Sequence, residues 1–384
     1  MKRNRLCAKT TDMKVPLFDI SATNLDLYEK FEEIFRHFIR SGNFILDDEV
    51  RQFEENFAKA NGSKYTLGVS SGTDALLVAL LALDIKPGDE VLCPSFTFFA
   101  TASTVARLGA TPIWVDVRKE DFAIDLQDAQ QKISEKTKAI IPVHLFGQSC
   151  DAEALMQFAQ KHSLMIIEDV AQAQGAQSHH HKTGTWGNIN AFSFFPTKNL
   201  GGFGDAGMVT TNDENLFERA KCIRVHGAPK RYEHVYLGGN FRIDSLQAAL
   251  LNLKLTYLED VVTIRRMNAQ LYLHYLEDIK NIVLPQERTD SYHTWNQFTI
   301  RVLNHQRDAL KTFLETQDIG CAIYYPKTLD QQIALRSISS DKGKPTTNAH
   351  ALASEVLSLP IYPGLKPEQI EFVCEQIHCF FKEM

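Results

Sequence analysis

From Tyr65 to about Val209, short apolar runs alternate with amphipathic stretches, and this rhythm constrains the chain more than any other feature. The runs read YTLGVS, EVLCPS, TPIWVDV, AIIPVHLF and LMIIEDV, with segments of helical periodicity such as DALLVALLALDI between them. Buried strands that return through helices pair in parallel, so the pattern predicts an α/β fold, a largely parallel sheet with helices on both faces. Ligands of such sheets sit beyond the carboxyl ends of the strands. The residues to inspect are therefore Ser71 to Asp74, Pro94 to Phe98, Gly147 and Asp169.

A stretch of helical periodicity without Pro or Gly, about Ser245 to Glu277, follows and reads as a bridge between domains. Beyond it, QFTIRVL, QRDALKTFLETQ and the terminal EQIEFVCEQIHCFFKEM predict a smaller α+β domain, with a Gly/Lys/Ser-rich loop near Ser337 to Pro345. A length of 384 residues with 44% hydrophobic content fits two domains. The expected division is a flexible extension over 1–14, a large domain over 15–260 and a small one over 261–384.

Charge and cysteine usage exclude several function classes. A formal net charge of -6 provides no global basic surface for nucleic acid, while leaving room for a local basic cleft. The seven cysteines are scattered without CxxC pairs, the usage of reduced cytosolic thiols and not of a disulfide framework or zinc site. No apolar run approaches the roughly 20 residues that span a bilayer, and Met1 to Met13 has no apolar core of a signal peptide. The expectation is a soluble cytoplasmic protein with no membrane partner.

Three segments carry chemistry. Ser70-Ser71-Gly72-Thr73-Asp74 runs from a strand end into a helix start, where free N–H groups and hydroxyls form a phosphate cradle; the same string is also an ordinary turn and N-cap. Asp169 ends the buried run LMIIED, and a carboxylate there is costly unless paired or catalytic. A protonated pyridine nitrogen is one fitting partner, and a neighbouring helix start is another. In Ser193-Phe194-Phe195-Pro196-Thr197-Lys198-Asn199, Pro196 ends a strand and the following glycines delay any helix, so Lys198 projects from a constrained turn. An amine held so can form a Schiff base, although a lone loop lysine is more often solvated.

With these segments in view, the sequence resembles the DegT/StrS-type nucleotide-sugar aminotransferases, pyridoxal-phosphate (PLP) enzymes of the aspartate-aminotransferase fold type, fold type I. The resemblance runs from about Val15 to the C-terminus. It rests on SSGTDAL, PSFTFFATAS, PVHLFGQ, EDVAQAQGA, FSFFPTKNLGGFGDAG, GGNFRIDSLQAALLNLKL and VLSLPIYPGL in family order. It implies a mostly parallel seven-stranded sheet in the large domain.

Carried over by position, Lys198 would bind the cofactor covalently, Asp169 would pair with the pyridine nitrogen and Gln172 would hydrogen-bond the phenolic oxygen. Phe98 would stack on the ring. Gly72, Thr73 and Ser193 would hold the phosphate, with Asn240 reaching in from a second subunit, which implies a homodimer with shared sites. Arg242, His293 and Tyr325 would lie near the nucleotide-sugar cleft, and Lys230 and Arg231 suit diphosphate oxygens, or equally a solvated basic loop. The donor implied is L-glutamate. Lys198 would shuttle its proton, pyridoxamine phosphate would be the alternate cofactor form, and ping-pong kinetics would follow.

The acceptor implied is a nucleotide-linked keto-sugar. TKNLGGFGDAG and HGAPKRY favour a 3-keto sugar; a 4-keto sugar and a keto-cyclitol stay open. Sugar dehydratases of the same family carry His where Lys198 stands, which argues against that branch. A cofactor-binding regulatory homologue is the rival from another class. Gly201 to Phe203 departs from the common pattern, so no substrate contact is carried over there. His179-His180-His181 falls in a hairpin-like connection, and consecutive residues rarely point at one ion, so no metal is expected.

Overall fold

The computed structural model describes residues 13–24 and 27–382. The expectation for 1–14 thus lies outside the described residues up to position 12. Seven strands form the central sheet: β1 (Tyr65–Val69), β2 (Glu90–Pro94), β3 (Thr111–Val115), β4 (Thr137–Ile140), β5 (Met165–Asp169), β6 (Ile189–Ser193) and β7 (Gly207–Thr211). Their order is β1-β7-β6-β5-β4-β2-β3. Every residue of β2 and β7 is buried, as expected of strands covered on both faces. The helix Gly72–Ala82 is apolar all round and buries seven side chains beneath the sheet, and Ser71 caps it by accepting the Asp74 N–H at 3.0 Å.

Pairing is parallel from β3 through β2, β4 and β5 to β6. β7 alone runs antiparallel, to both β6 and β1. The cause is the Pro- and Gly-rich connection over 194–206, which holds no helix and returns the chain directly beside β6. Ser193 faces Gly207 at the mouth of this connection, so Lys198 hangs at the carboxyl end of β6, next to the end of β5.

The bridge differs from its expected form. It is two helices, Ser245–Leu255 and Leu258–Leu276, broken at Thr256 and Tyr257. The Thr256 hydroxyl donates to the Leu253 carbonyl at 2.8 Å, and the Thr256 and Tyr257 N–H groups reach back three residues, which ends the first helix without Pro or Gly.

A second core surrounds a three-stranded antiparallel sheet of β8 (Ile282–Val283), β9 (Phe298–Val302) and β10 (Val356–Leu359). Ala269, Tyr272 and Leu276 of the bridge pack there with Ile370, Val373 and Ile377 of the terminal helix. Val15 joins the same cluster and bridges Ile319 by its backbone. The loop at Ser337 to Pro345 covers the edge of β3: the Trp114 N–H donates to the Ser340 carbonyl at 2.8 Å and its indole N–H to the Ser339 hydroxyl at 2.9 Å. Among the described residues, no helix is long and apolar enough to cross a membrane.

Candidate active site

β5 ends in two adjacent carboxylates that strand geometry sends to opposite faces. Glu168, fully buried, accepts from the His144 ring Nε2 at 3.0 Å and from the backbone N–H groups of Gly184, Trp186 and Gly187 at 2.7, 3.0 and 2.8 Å. Its bonds stay inside the protein. Asp169, 5% exposed, accepts from the Thr101 hydroxyl at 2.9 Å and from the Ala171 N–H at 3.2 Å. The Thr101 hydroxyl is in turn 3.2 Å from that of Thr97. Burial raises the pKa of Asp169, while Thr101, Ala171 and the charge of Lys198 pull it back.

Lys198 is the cationic counterpart. Burial pushes its ammonium down to about 8, against the attraction of Asp169, so much of it is a neutral amine at mildly alkaline pH. Its backbone N–H donates to the Phe195 carbonyl at 2.8 Å. Gly201 keeps this turn closed, since a Cβ there would come within 2.3 Å of the Pro196 carbonyl oxygen.

Gln172 is fixed from one side. Its Oε1 accepts the Phe146 N–H at 2.7 Å, leaving the amide N–H₂ to face the site, where it donates to the Tyr325 hydroxyl at 3.4 Å. Phe146 makes that bond from a left-handed conformation, φ 61°. Tyr325 packs 6.1 Å from Phe98, which is 57% exposed and presents an open ring face.

The cradle is built by contact between two elements. A Cβ on Gly72 would lie 2.6 Å from Cβ of Ser193, and one on Gly207 would lie 2.5 Å from the Ser71 carbonyl oxygen. The helix start thus touches the ends of β6 and β7. Ser71 saturates the Asp74 N–H, so the Gly72 and Thr73 N–H groups and the Thr73 and Ser193 hydroxyls remain for an anion. Gln174 holds Ser193 in place, its Nε2 donating to the Ser193 carbonyl at 2.5 Å.

The structure thus brings together Gly72, Thr73 and Ser193 at one end and Asp169, Lys198, Gln172, Tyr325 and Phe98 at the other. Asn240 and Arg242 flank Phe241, whose carbonyl accepts the Ser70 N–H at 3.0 Å, so both stand beside the cradle. The Asn240 side chain is exposed, and Arg242 Nε is buried without a partner among the described residues. Lys230 and Arg231 lie on an exposed loop, where Arg231 stacks on Tyr232 at 5.0 Å; no hydrogen bond joins either to the residues above.

His293 is shut in. Only 3% exposed, it stacks on Trp295 at 3.9 Å, its Nδ1 accepts the Trp295 N–H at 2.9 Å, and burial with nearby Arg266 pushes its pKa to about 3. The ring is a neutral packing and acceptor group. In the histidine run only His179 meets acidic groups: Asp151, His179 and Asp290 bring ligand atoms within 4.8 Å of one another, and Arg288 pairs with both carboxylates. The charges are thus balanced by an arginine.

Thr101, Phe146 and Gln174 support the site without standing out in the sequence. Only the left-handed Phe146 has a local signal, the Phe-Gly pair in PVHLFGQ.

A half-buried amine, a buried carboxylate and an anion cradle at adjoining strand ends form a known constellation, and the DegT/DnrJ/EryC1/StrS aminotransferase family matches residues 26–378. The chain belongs to this family. It is 42% identical over 372 residues to a pleiotropic regulatory protein of Geobacillus stearothermophilus, covering 96% of this chain and 99% of that one. It is 40% identical over 361 residues to a UDP-N-acetyl-3-dehydro-α-D-glucosamine 3-aminotransferase of Acidithiobacillus ferrooxidans, covering 94% and 96%. Its fold superposes on that of DesV from S. venezuelae, solved in complex with a ketimine intermediate, with a TM-score of 0.91 at 36% identity, covering 96% and 98% of the two chains. The DegT/StrS-type resemblance and the fold type I sheet are thereby established.

Proposed function

We propose that this aminotransferase uses PLP to move an amino group from L-glutamate to a nucleotide-linked keto-sugar, with a ketone at C3 favoured. The observation that carries the reading is the placing of Lys198, its ammonium lowered to about 8, close enough to the buried Asp169 carboxylate for each to feel the other's charge. Pyridoxal phosphate, when bound, supplies an aldehyde that exchanges amines and a ring that draws electrons from the reacting carbon.

Asp169, whose charge Thr101 and Ala171 favour, would hold a proton on the ring nitrogen. The Gln172 amide, oriented by Phe146, would donate to the phenolic oxygen, and Phe98 would hold the ring. Thr73, Ser193 and the helix start would bind the phosphate. Lys198, partly neutral near neutral pH, is the group that would accept and return the proton of the donor Cα, with the bound cofactor supplying the electron sink.

The C3 preference is supported by the Acidithiobacillus relative, whose name states a 3-aminotransferase. A homodimer is supported by Phe35, Ile39, Phe44, Ile45, Leu46 and Leu237, all more than a third exposed, and by the exposure of Asn240. The described cysteines are all free thiols, which suits the reducing cytoplasm.

Reconstitution with PLP is expected to give an absorbance band that disappears in Lys198→Ala; no band in the wild type overturns the reading. A second reading, cofactor binding without turnover, is favoured by the regulatory description of the Geobacillus relative. Conversion of the bound pyridoxal form to the pyridoxamine form by glutamate in a single turnover decides for catalysis.

A further inference from the structure

Lys198 lies between two residues that are both tied to one short segment, 294–297, which leads into β9 of the second core. The Asn296 Nδ2 donates to the Thr197 carbonyl at 3.4 Å on one side of the lysine and to the Asn199 Oδ1 at 3.1 Å on the other. Asn199 completes the link with its own Nδ2, which donates to the Thr294 carbonyl at 3.0 Å. Asn296 and Asn199 are 3% and 5% exposed, so water competes little for these bonds. The nearest backbone bonds close inside the loop itself, from the Lys198 N–H to the Phe195 carbonyl and from the Gly202 N–H to the Phe194 carbonyl. The carboxamide pair therefore ties the flanks of the lysine to a neighbouring element.

The same segment holds the other side of the site. The Thr294 N–H donates to the Gly147 carbonyl at 2.9 Å and the Gln297 N–H to the Phe146 carbonyl at 3.1 Å, while the Phe146 N–H orients Gln172. Backbone meets backbone here: a Cβ on Gly147, whose φ is 106°, would lie 2.8 Å from the backbone N of both Trp295 and Asn296. Trp295 anchors the segment. It is fully buried in the second core, where it stacks on His293 and Phe298, and it takes a left-handed φ of 47°. One anchored turn thus reaches both the lysine loop and the residue that aims Gln172.

We propose that Asn296, together with Asn199, is a positioning residue for proton transfer: the pair clasps the loop on both sides of Lys198 and fixes where its amine stands relative to Asp169 and Gln172. This rests on the reading of Lys198 as the cofactor lysine. An amine on a flexible four-carbon stem can move a proton only from within hydrogen-bond reach, and a loop free to shift would add backbone freedom to that of the stem. The clasp removes the backbone share. Neither carboxamide carries a charge, so a change in the titration of Lys198 on replacing one reports the placement of the amine and not a lost ion pair.

Asn296→Leu keeps the volume and removes both donated bonds, and Asn199→Ser opens the clasp from the loop side. In the holoenzyme, each is expected to slow the conversion of the bound pyridoxal form by saturating L-glutamate about 10- to 100-fold, as for a displaced reacting group, while the half-saturating concentration changes less than about threefold. In the cofactor-free protein, the uptake of an acylating label by Lys198 is followed against pH by mass spectrometry of its peptide. It is expected to titrate near 8 in the wild type and about one pH unit or more higher in each variant, as the amine gains water. In the double variant the two rate losses should fall short of multiplying, because both residues act through one clasp. A wild-type conversion rate in Asn296→Leu, or a wild-type titration of Lys198 there, overturns the proposal even if the melting temperature falls. Should Asn296→Leu fail to fold, Asn199→Ser decides by the same two readouts. Failure of the cofactor reading shows separately, as no absorbance band in the reconstituted wild type, and the labelling titration then decides on the clasp alone.

Discussion

Thr101 donates its hydroxyl to Asp169 at 2.9 Å, and this bond joins the helix after β2 to the end of β5. Asp169 must stay ionised although burial raises its pKa, and Thr101 is the largest of the influences that oppose burial. Thr101→Val keeps the shape and removes the donor. Hydrogen bonds to charged groups contribute about 1.5–3 kcal/mol, so kcat/KM is expected to fall about 10- to 100-fold. Steady-state kinetics with L-glutamate measures it, and the falling limb on the acid side should move to higher pH.

Lys198 and Lys254 both have folded pKa values lowered to about 8 from 10.5. Between those values the unfolded chain binds more protons than the folded one, so stability rises with pH across the window. The cofactor-free protein is therefore expected to melt at higher temperature at pH 9.5 than at pH 8, by an increment of about one to a few degrees. Lys198→Met and Lys254→Met should each flatten the rise, read by calorimetry across the window.

Gly72→Ala places a methyl 2.6 Å from Cβ of Ser193. The helix start must then withdraw from β6. The overpacking is expected to cost about 1–3 kcal/mol and to weaken phosphate binding. Adding Ser193→Gly should recover part of the stability but not the affinity, because the Ser193 hydroxyl is lost. Chemical denaturation and cofactor titration separate the two effects.

Glu168 accepts from His144 and three backbone N–H groups. In Glu168→Gln one acceptor oxygen becomes a donor facing donors. A loss of about 3–5 kcal/mol in unfolding free energy is expected, as for breaking a buried charged network. Denaturant midpoints at a constant m-value test it; a loss under about 1 kcal/mol contradicts the assignment.

The sheet and the position of the site were legible because burial on both faces writes itself as apolar runs, and function gathers where such runs end. Asp169 and Lys198 stood out there as polar groups in costly places. Thr101 and Gln174 did not, because a hydroxyl or amide is cheap anywhere and its partner is distant in sequence. The break at Thr256 left no trace, since one threonine hydroxyl turning onto a carbonyl breaks no pattern of periodicity. His293 illustrates the opposite case: a residue type suited to chemistry is used here to hold Trp295.

Val15 lies buried with residues as distant as Ile377. Synthesis delivers Val15 long before Ile377. The second core therefore closes only once the helix that carries Ile377 has been made, while the strands from β1 to β7 can already pair on the nascent chain. In the cell, Val15 waits through the making of the whole central sheet before it finds its place.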